Sequence, residues 1–426
     1  MGEDTIFAVA SGAGRAAITL MRMSGAGTSD VLSRLCHPVP AARRASVRLL
    51  RDRVGEILDQ AVVVWLPGPG SYTGEDSAEL HLHGGRAVTE AVSEALVDLG
   101  ARPAEPGEFT RRAFLNGRMD LVEAEAVGDL VAAETDAQRR QALRQLGGEL
   151  GAAYRGWTDR LLELLARQEA LIDFPDQDIP EEVDAAILKE TGRMQSEVAA
   201  HLDDGRRGEL LREGLVFAIT GPPNVGKSSL MNALAGREVA IVSARPGTTR
   251  DVLEARIVLG GVPVTLVDTA GLRDTGDEIE AEGVRRALAR ASEADLVVQV
   301  IDPWTDPAAS HGRLVANKID LDRAIPSGAM GVSALTGAGL GELRAYLSGE
   351  ARRLTETSGP PPLTRARHRA ALQEVAARLK AAGQADLAEL RAEDLRLAVR
   401  ALGRITGAVG VEDVLGAIFA QFCIGK

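Results

Sequence analysis

The stretch Gly221-Pro-Pro-Asn-Val-Gly-Lys-Ser-Ser229 decides the fold of the middle of this chain. It follows an apolar run, Leu215–Thr220, that predicts a buried strand, and it precedes residues 230–235, which predict a helix. Strand, glycine loop and helix together are the context of a phosphate-binding loop. Gly221 and Gly226 allow the backbone to curl, so that its N–H groups converge on phosphate oxygens.

Two side chains of this loop supply charge and a metal ligand. Lys227 offers positive charge to the outer phosphates, and the Ser228 hydroxyl is placed for Mg²⁺. The N-terminus of the following helix adds its own partial positive charge. A simple Gly/Pro turn is the alternative, but the complete strand–loop–helix context favours phosphate binding. The predicted nucleotide contacts here are Asn224, Val225, Gly226, Lys227, Ser228 and Ser229.

Asn317-Lys318-Ile319-Asp320 follows a short apolar run and predicts a turn that recognises the base. The Asp320 carboxylate can accept hydrogen bonds from the N1–H and the exocyclic amine of guanine, a donor pair that adenine lacks. Asn317 and Lys318 would brace the pocket, and backbone N–H groups of residues 333–335 would meet the carbonyl oxygen of guanine. Alone, this motif is more often a surface turn.

Two further motifs lie between the phosphate loop and this turn. Asp268-Thr269-Ala270-Gly271 ends a predicted strand, so its acid can reach Mg²⁺ and its glycine N–H the last phosphate. Gly247-Thr248-Thr249-Arg250-Asp251 supplies a hydroxyl, that of Thr249, for the same metal. Five motifs in this order between residues 221 and 335 are a specific signal for GTP. The segment resembles the translation-factor-related GTPases.

Composition bounds the remaining possibilities. A length of 426 residues predicts two or three domains, and 45% hydrophobic residues are ordinary for a globular protein. Cys36 and Cys423 cannot form a disulfide framework or a zinc site by themselves, and no secretory leader or membrane-spanning run is evident. We therefore expect a cytoplasmic protein that does not associate with a membrane. Because the net charge is −12, we expect a partner to carry much of the grip on any RNA substrate.

The rest of the chain changes character twice. Residues 1–116 predict a mixed α/β domain, in which His81 and His83 share one face of a strand. A metal site there is conceivable, but no nearby carboxylate or cysteine completes a ligand set, so a solvated pair is favoured. Residues 119–172 and 182–212 have helical periodicity, with Gly147-Gly148 breaking or bending the first run.

Three more helical stretches follow the GTPase segment, near residues 364–382, 386–404 and 411–422. An α/β domain between two helical blocks indicates insertion into one all-α domain, at a loop whose ends lie close together. The predicted fold class is a multidomain chain of α/β and all-α parts. We place an N-terminal domain at 1–117, a discontinuous helical domain at 118–212 and 351–426, and an inserted G domain at 213–350.

Several specific stretches resemble one known family over essentially the whole chain, the MnmE (TrmE) family of tRNA modification GTPases. They are Asp4-Thr-Ile6, Tyr72-Thr-Gly-Glu-Asp76, His83-Gly-Gly85, Gly107-Glu-Phe-Thr-Arg-Arg-Ala-Phe-Leu-Asn116, Ala124-Glu-Ala126 and Phe422-Cys-Ile-Gly-Lys426. A generic GTPase would have neither the 107–126 block nor the stretch Phe422–Lys426.

The resemblance implies an N-terminal α+β domain that binds folate and forms a homodimer, a discontinuous helical bundle, and an inserted Ras-like P-loop G domain. It also implies an FAD-containing MnmG-like partner and a tRNA substrate. Together the two proteins would add a (carboxymethyl)aminomethyl group at carbon 5 of the wobble uridine. The one-carbon unit would come from 5-formyl- or methylene-tetrahydrofolate.

The resemblance also implies potassium-stimulated GTP hydrolysis. Leu272 stands where many small GTPases carry a glutamine that orients the attacking water. Glu280 matches the position that orients this water in the family. The alternative is that Glu280 is an exposed acid at the start of a helix. The predicted catalytic residues are Glu280, Lys227 and Cys423. The predicted K⁺ ligands are Asn224, Ser243, Arg245 and Thr248; the predicted Mg²⁺ ligands are Ser228 and Thr249.

The potassium loop departs from the family, because Ser243-Ala-Arg-Pro-Gly247 replaces the more usual Thr-Asp-Ile-Ala-Gly. An arginine there would partly substitute for the ion. The further predicted nucleotide contacts are Ser243, Ala244, Arg245, Pro246, Gly247, Thr248, Thr249, Asp268, Thr269, Ala270, Gly271, Asn317, Lys318, Asp320, Ser333 and Ala334.

The folate contacts that the resemblance implies are Arg22, Glu79, Arg118 and Lys426, with arginine at 118 where the family commonly has lysine. Cys423 matches a near-terminal cysteine close to the one-carbon chemistry; a buried C-terminal cysteine is the alternative. Two other functions stay open. One is a GTPase switch in ribosome assembly or other RNA-related regulation, and the other is a folate-binding scaffold with a degenerate GTPase.

Overall fold

The computed structural model describes residues 4–12, 14–173, 181–236, 254–268, 294–302, 312–322, 324–356, 360–409 and 412–425, with backbone only at 181 and 412–414. The chain divides into two compact units. The first comprises Met1–Gly128, Gln145–Ile179 and Asp386–Lys426, and the second comprises Asp129–Arg144 and Pro180–Ala385. Within the described ranges, no helix is both long and apolar enough to cross a membrane.

The first unit contains a mostly antiparallel sheet of order β3-β4-β5-β2-β1-β6, in which only β1 and β6 run parallel. Its strands are β1 (Ile6–Val9), β2 (Ile18–Ser24), β3 (Ser46–Arg51), β4 (Ile57–Leu66), β5 (Ser77–His83) and β6 (Arg102–Pro103). The alternation predicted for β5 is confirmed: Leu80 and Leu82 are buried, while His81 and His83 face outward.

The helices in chain order are α1 (Thr28–Leu35), α2 (Arg86–Asp98), α3 (Glu108–Leu115), α4 (Leu121–Ala132), α5 (Asp136–Leu146), α6 (Glu149–Asp173), α7 (Glu181–Leu202), α8 (Arg207–Glu213), α9 (Lys227–Ala235), α10 (Leu340–Thr355), α11 (Ala366–Gln384), α12 (Ala388–Thr406) and α13 (Glu412–Phe419). In the first unit, α1 and α2 cover one face of the sheet, burying Met21, Met23 and Leu80. On the opposite face, Phe109 of α3 packs against Ile6 and Ala8.

The helical run predicted over residues 119–172 is three helices, α4, α5 and α6. Gly148, at φ +82°, makes the predicted break before α6. A second break, which we did not predict, precedes α5. There the Thr135 hydroxyl accepts the N–H of Gln138, and the Gln138 side chain accepts the N–H of Thr135. Thr-x-x-Gln is a capping box, a helix-start signal that is visible in the sequence.

The helices flanking the GTPase segment pack in pairs within each unit. In the first unit α6 packs along α12, and in the second α7 packs along α11. Each pair joins a helix that precedes the GTPase segment to one that follows it, so the helical domain is discontinuous as predicted. The helix expected over 182–212 is interrupted at residues 203–206, where Gly205 and Arg206 adopt positive φ.

The second unit contains the second six-stranded sheet, of order β12-β11-β10-β7-β9-β8, which is parallel except for the β8–β9 pair. Its strands are β7 (Leu215–Thr220), β8 (Glu254–Leu259), β9 (Val262–Asp268), β10 (Leu296–Ile301), β11 (Arg313–Ala316) and β12 (Met330–Gly331). The loop after β7 lies between the β9 and β10 sides, where open α/β sheets bind ligands. The short connection from β10 to β11, notable in the sequence for its prolines, lies mostly outside the described residues.

Candidate functional site

The phosphate loop follows β7 and adopts a backbone that only glycine permits at two positions. Gly221 has φ +140° and Gly226 has φ +92°. A Cβ on Gly226 would lie 2.4 Å from Asn317 Nδ2, and one on Gly221 would lie 2.0 Å from the Val300 carbonyl oxygen. Helix α9 begins at Lys227, earlier than the predicted start at Leu230, so its N-terminus lies directly at the loop.

Lys227 lies inside this curl and is only 4% exposed. Its Nζ donates to the carbonyl oxygens of Gly221, at 2.9 Å, and Pro222, at 2.7 Å. Burying an ammonium group is costly unless it is hydrogen-bonded, and these carbonyls satisfy it. The positive charge is therefore held at the centre of the loop, where convergent N–H groups and a helix N-terminus favour anions.

The Ser228 hydroxyl donates to Asp268 Oδ2 at 2.7 Å, joining α9 to the end of β9. Asp268 is buried. Oxygen ligands of this kind suit Mg²⁺, which keeps several waters and binds through one or two protein groups plus phosphates. Within the described part of the chain, no group of three or more His, Cys, Asp or Glu side chains could hold a metal unaided. The pair therefore fits a Mg²⁺ ion that arrives with a nucleotide.

The base-recognition turn is tied to the phosphate loop by side chains. Asn317 Nδ2 donates to the Val225 carbonyl oxygen at 2.8 Å, and Asn317 Oδ1 accepts the N–H of Ala334 at 3.1 Å. Lys318 Nζ donates to the Asn224 carbonyl oxygen at 2.7 Å. The role predicted for Asn317 and Lys318 was to brace the pocket, and both side chains do hydrogen-bond the turn to the phosphate loop.

Asp320 is exposed at this turn, and its Oδ1 accepts a hydrogen bond from the Ser333 hydroxyl at 2.5 Å. Ser333 is fully buried. Sequence reasoning assigned only backbone groups to residues 333–335 and missed this side chain. Its signal was weak, because Ser333 lies 13 positions from Asp320 and nothing in the spacing links them. The bond fixes the carboxylate while Oδ2 remains for a ligand.

Several predicted site residues lie outside the described part of the chain. They are Ser243, Ala244, Arg245, Pro246, Gly247, Thr248, Thr249, Thr269, Ala270, Gly271, Glu280 and Lys426.

In the first unit, Arg22 of β2 and Glu79 of β5 face each other across the strands and form an ion pair at 3.0 Å. The Arg22 guanidinium lies 5.3 Å from the centre of the Tyr72 ring and 6.0 Å from that of Phe109. A charge pair beside two aromatic rings suits a planar ligand that carries both donors and acceptors, which fits a folate. Arg118 is exposed, packs its aliphatic carbons beside Gly74, and makes no ion pair with Glu79.

A buried ion cluster fixes the start of α3. Glu108, 2% exposed, accepts hydrogen bonds from Arg102 at 2.6 Å and Arg112 at 3.0 Å. Burial acts to raise the pKa of Glu108, but the hydrogen bonds from Arg102, from the N–H of Glu105 and from Arg112 outweigh it and hold that pKa at about 2. The same first turn of α3 places Thr110, whose hydroxyl lies 2.9 Å from that of Tyr72.

The histidine pair requires a correction. We expected no carboxylate near His83, but His83 Nδ1 lies 2.6 Å from Asp59 Oδ1, and the His83 N–H donates to Asp59 Oδ2 at 2.9 Å. Asp59 comes from the neighbouring β4 and is far away in sequence. His81 Nε2 lies 3.9 Å from Glu79 Oε2.

The two cysteines differ in environment. Cys36 is buried, whereas Cys423 is exposed, so the alternative of a buried C-terminal cysteine is wrong. The adjacent Phe422 packs against Gly128, and Gly425 lies against the backbone of Val9 in β1. The tail that carries Cys423 is therefore held on the N-terminal sheet.

The fold and this geometry define a P-loop GTPase whose nucleotide-binding domain interrupts a helical domain. A family model described as GTP-binding protein TrmE N-terminus matches residues 5–118, and one described as MnmE helical domain matches residues 121–423. The chain belongs to the MnmE family.

Curated relatives match over their full length. The chain is 60% identical to the tRNA modification GTPase MnmE of Gluconacetobacter diazotrophicus, over 99% of this chain and 98% of that protein. It is 56% identical to the protein of that name from Granulibacter bethesdensis and 53% identical to that from Rhodospirillum rubrum, over 100% of both chains in each case.

Proposed function

We propose that this chain hydrolyses GTP and uses the cycle to drive modification of the wobble uridine in tRNA. The observation that supports it is a complete phosphate loop braced against a guanine-reading turn, in a chain similar from end to end to tRNA modification GTPases. In this proposal the helical domain comprises 118–212 and 351–426, the G domain 213–350 and the folate-binding domain 1–117.

In the G domain, Lys227 and the loop N–H groups bind the phosphates, and Ser228 and Asp268 hold Mg²⁺ together with Thr249. Asp320 selects guanine, and Glu280 orients the attacking water. Bound K⁺ would neutralise charge that develops on the phosphates, and Asn224 would be one of its ligands. Neither Glu280 nor the rest of the potassium loop lies in the described residues.

In the N-terminal domain, the Arg22–Glu79 pair and the rings near it orient a tetrahydrofolate derivative, with Arg118 and Lys426 contributing charge. The folate would supply the one-carbon unit. We propose a homodimer in the cytoplasm that works with an FAD-containing MnmG-like partner, and that Cys423 acts close to the one-carbon chemistry.

A deletion strain tests the function directly. Complementation with the wild type is expected to restore the modified wobble uridine in digested tRNA, whereas Lys227→Ala is expected to restore none. Lys380→Ala, a surface change on α11, is the matched control. Unmodified wobble uridine in the complemented strain, with correct ribosome assembly restored, would favour the regulatory switch instead.

The cation dependence has its own test. GTP turnover by the purified protein is compared in KCl and NaCl at equal ionic strength. Strong activation by K⁺, lost in Asn224→Ala, is the expected result. Equal slow rates in both salts would overturn the potassium site while leaving GTP hydrolysis in place. Turnover that survives Lys227→Ala and Asp268→Ala would come from a contaminant and would favour the degenerate-GTPase scaffold.

A further inference from the structure

Five arginines lie along one edge of the N-terminal sheet. They are Arg43, Arg44, Arg48, Arg51 and Arg53, here called the arginine edge. Strand β3 carries two of them and is the last strand of the sheet, paired only with β4 among the described strands. The stretch from 43 to 53 contains a single acid, Asp52, in a chain whose net charge is −12.

The arginine edge forms no ion pair with a described carboxylate. Arg48 donates to the carbonyl oxygens of Pro38, at 2.7 Å, and Val47, at 2.9 Å, and Arg51 donates to that of Gly55 at 2.7 Å. Asp52 is engaged by its own turn, where Oδ1 accepts the N–H groups of the two residues at 54 and 56. The positive charge therefore exceeds the negative charge along this stretch, and two guanidinium groups are held in place by backbone oxygens.

Several exposed arginines on the helices are paired with carboxylates instead. Arg139 pairs with Asp136 at 2.6 Å, Arg193 with Glu197 at 3.1 Å, and Arg353 with Glu350 at 2.8 Å. Each neutralises its charge within about one turn of the same helix. The arginine edge differs from these in that its arginines have no carboxylate partner among the described residues.

Charge on an edge strand also prevents edge-to-edge pairing of sheets. One or two charges of either sign achieve this, so five positive charges without carboxylates exceed what that role requires. β3 has six residues and spans about 20 Å at the usual rise of a strand. With arginines beyond both ends, positive charge is spread along this edge over a length that spans several phosphates, and arginine binds phosphate in bidentate fashion.

We propose that the arginine edge binds the phosphate backbone of tRNA, an inference that rests on the proposed function. It revises our expectation that a partner supplies much of the binding to RNA, because the N-terminal unit then has a docking surface of its own. Phosphate contacts of this kind position a nucleic acid without reading its sequence.

The test uses the full-length protein and dye-labelled tRNA, with anisotropy measured over a range of salt concentrations. Arg44→Gln/Arg51→Gln/Arg53→Gln is expected to weaken binding about tenfold or more. It is also expected to reduce the slope of log Kd against log salt by about 0.7–0.9 for each phosphate that the variant no longer neutralises. The same three positions changed to Lys should retain most of the affinity, since the charge remains.

The matched control is Arg139→Gln/Arg193→Gln/Arg353→Gln, which removes the same charge from carboxylate-paired sites and should bind tRNA within about twofold of wild type. An unchanged urea-unfolding curve followed by tryptophan fluorescence verifies that the edge variant keeps its first unit folded, and unchanged GTP turnover verifies that the control variant keeps its second unit folded. Equal weakening in the two variants, or unchanged binding in the edge variant, would overturn the inference. Failure of the wild type to bind tRNA would also overturn it, while the proposed function is judged separately by wobble-uridine modification in cells.

Discussion

Asn317 donates to the carbonyl oxygen of Val225 at 2.8 Å, so one buried side chain joins the turn proposed to read the base to the loop proposed to bind the phosphates. Both loops follow parallel strands, and among the described residues no backbone hydrogen bond joins one loop to the other. Together with the bond from Lys318 to the Asn224 carbonyl oxygen, the Asn317 bond links the two ends of the proposed nucleotide site.

Asn317→Ala is therefore expected to weaken GTP binding at least tenfold and to lower the free energy of unfolding by about 1–3 kcal/mol, because a buried carbonyl loses its donor. Nucleotide titration and urea unfolding measure the two effects. Asn116→Ala is the control, since the exposed Asn116 also donates to a backbone oxygen, that of Thr73 at 2.8 Å, but in the first unit. It should cost stability without changing GTP affinity; equal losses of affinity would contradict the argument.

Replacing the base-reading carboxylate should change which base is bound. Asp320→Asn is expected to lower GTP affinity about a hundredfold and to favour xanthosine triphosphate, because an amide can donate to the carbonyl that xanthine has in place of the amine of guanine. Ser333→Ala should lower GTP affinity by a smaller factor, about tenfold, as the carboxylate loses its positioning bond. Competition with labelled nucleotide tests both; unaltered preference in Asp320→Asn would show that another group reads the base.

The Glu108 cluster predicts an acid-sensitive N-terminal unit. Its folded pKa of about 2 lies below the ordinary 4.5, so its stabilisation is fully present above pH 4.5 and is lost as pH falls toward 2. Glu108→Gln should be less stable at neutral pH by about 3–5 kcal/mol, because two arginines lose a buried partner, and its unfolding free energy should depend less on pH below 4.5.

Urea unfolding followed by fluorescence of Trp65, with Trp157 and Trp304 changed to Phe, reports on this unit. Glu105→Gln is a control, since its side chain is exposed. Parallel pH curves for wild type and Glu108→Gln would mean that the cluster does not cause the acid sensitivity.

The two thiols should react at very different rates. Burial raises the pKa of Cys36 to about 11, although the nearby Arg48 opposes that rise, so its thiolate is scarce at neutral pH. Cys423 is exposed. A thiol reagent should label one group per native chain and two in denaturant, and Cys423→Ser should abolish the native signal. Rapid labelling of two thiols in the native protein would disprove this assignment.

Much of this architecture follows from local sequence. Strand β7 and the phosphate loop lie within 15 consecutive residues, so strand propensity and the positions of the glycines were enough to predict them. Contacts between distant segments were not accessible in this way. Asp59 reaches His83 across a strand pair, and Ser333 reaches Asp320 between two loops, and both depend on register that only the folded sheet defines. The break before Thr135 was readable from its capping box and was overlooked.

The packing of the tail has a consequence for synthesis. Gly107 lies against Phe419 and Phe422, and Gly128 lies against Phe422, so the N-terminal unit finds partners in the last residues of the chain. A nascent chain on the ribosome must hold these apolar surfaces exposed until the GTP-binding segment has emerged. During synthesis the inserted domain can therefore finish folding before the domain that precedes it in the chain.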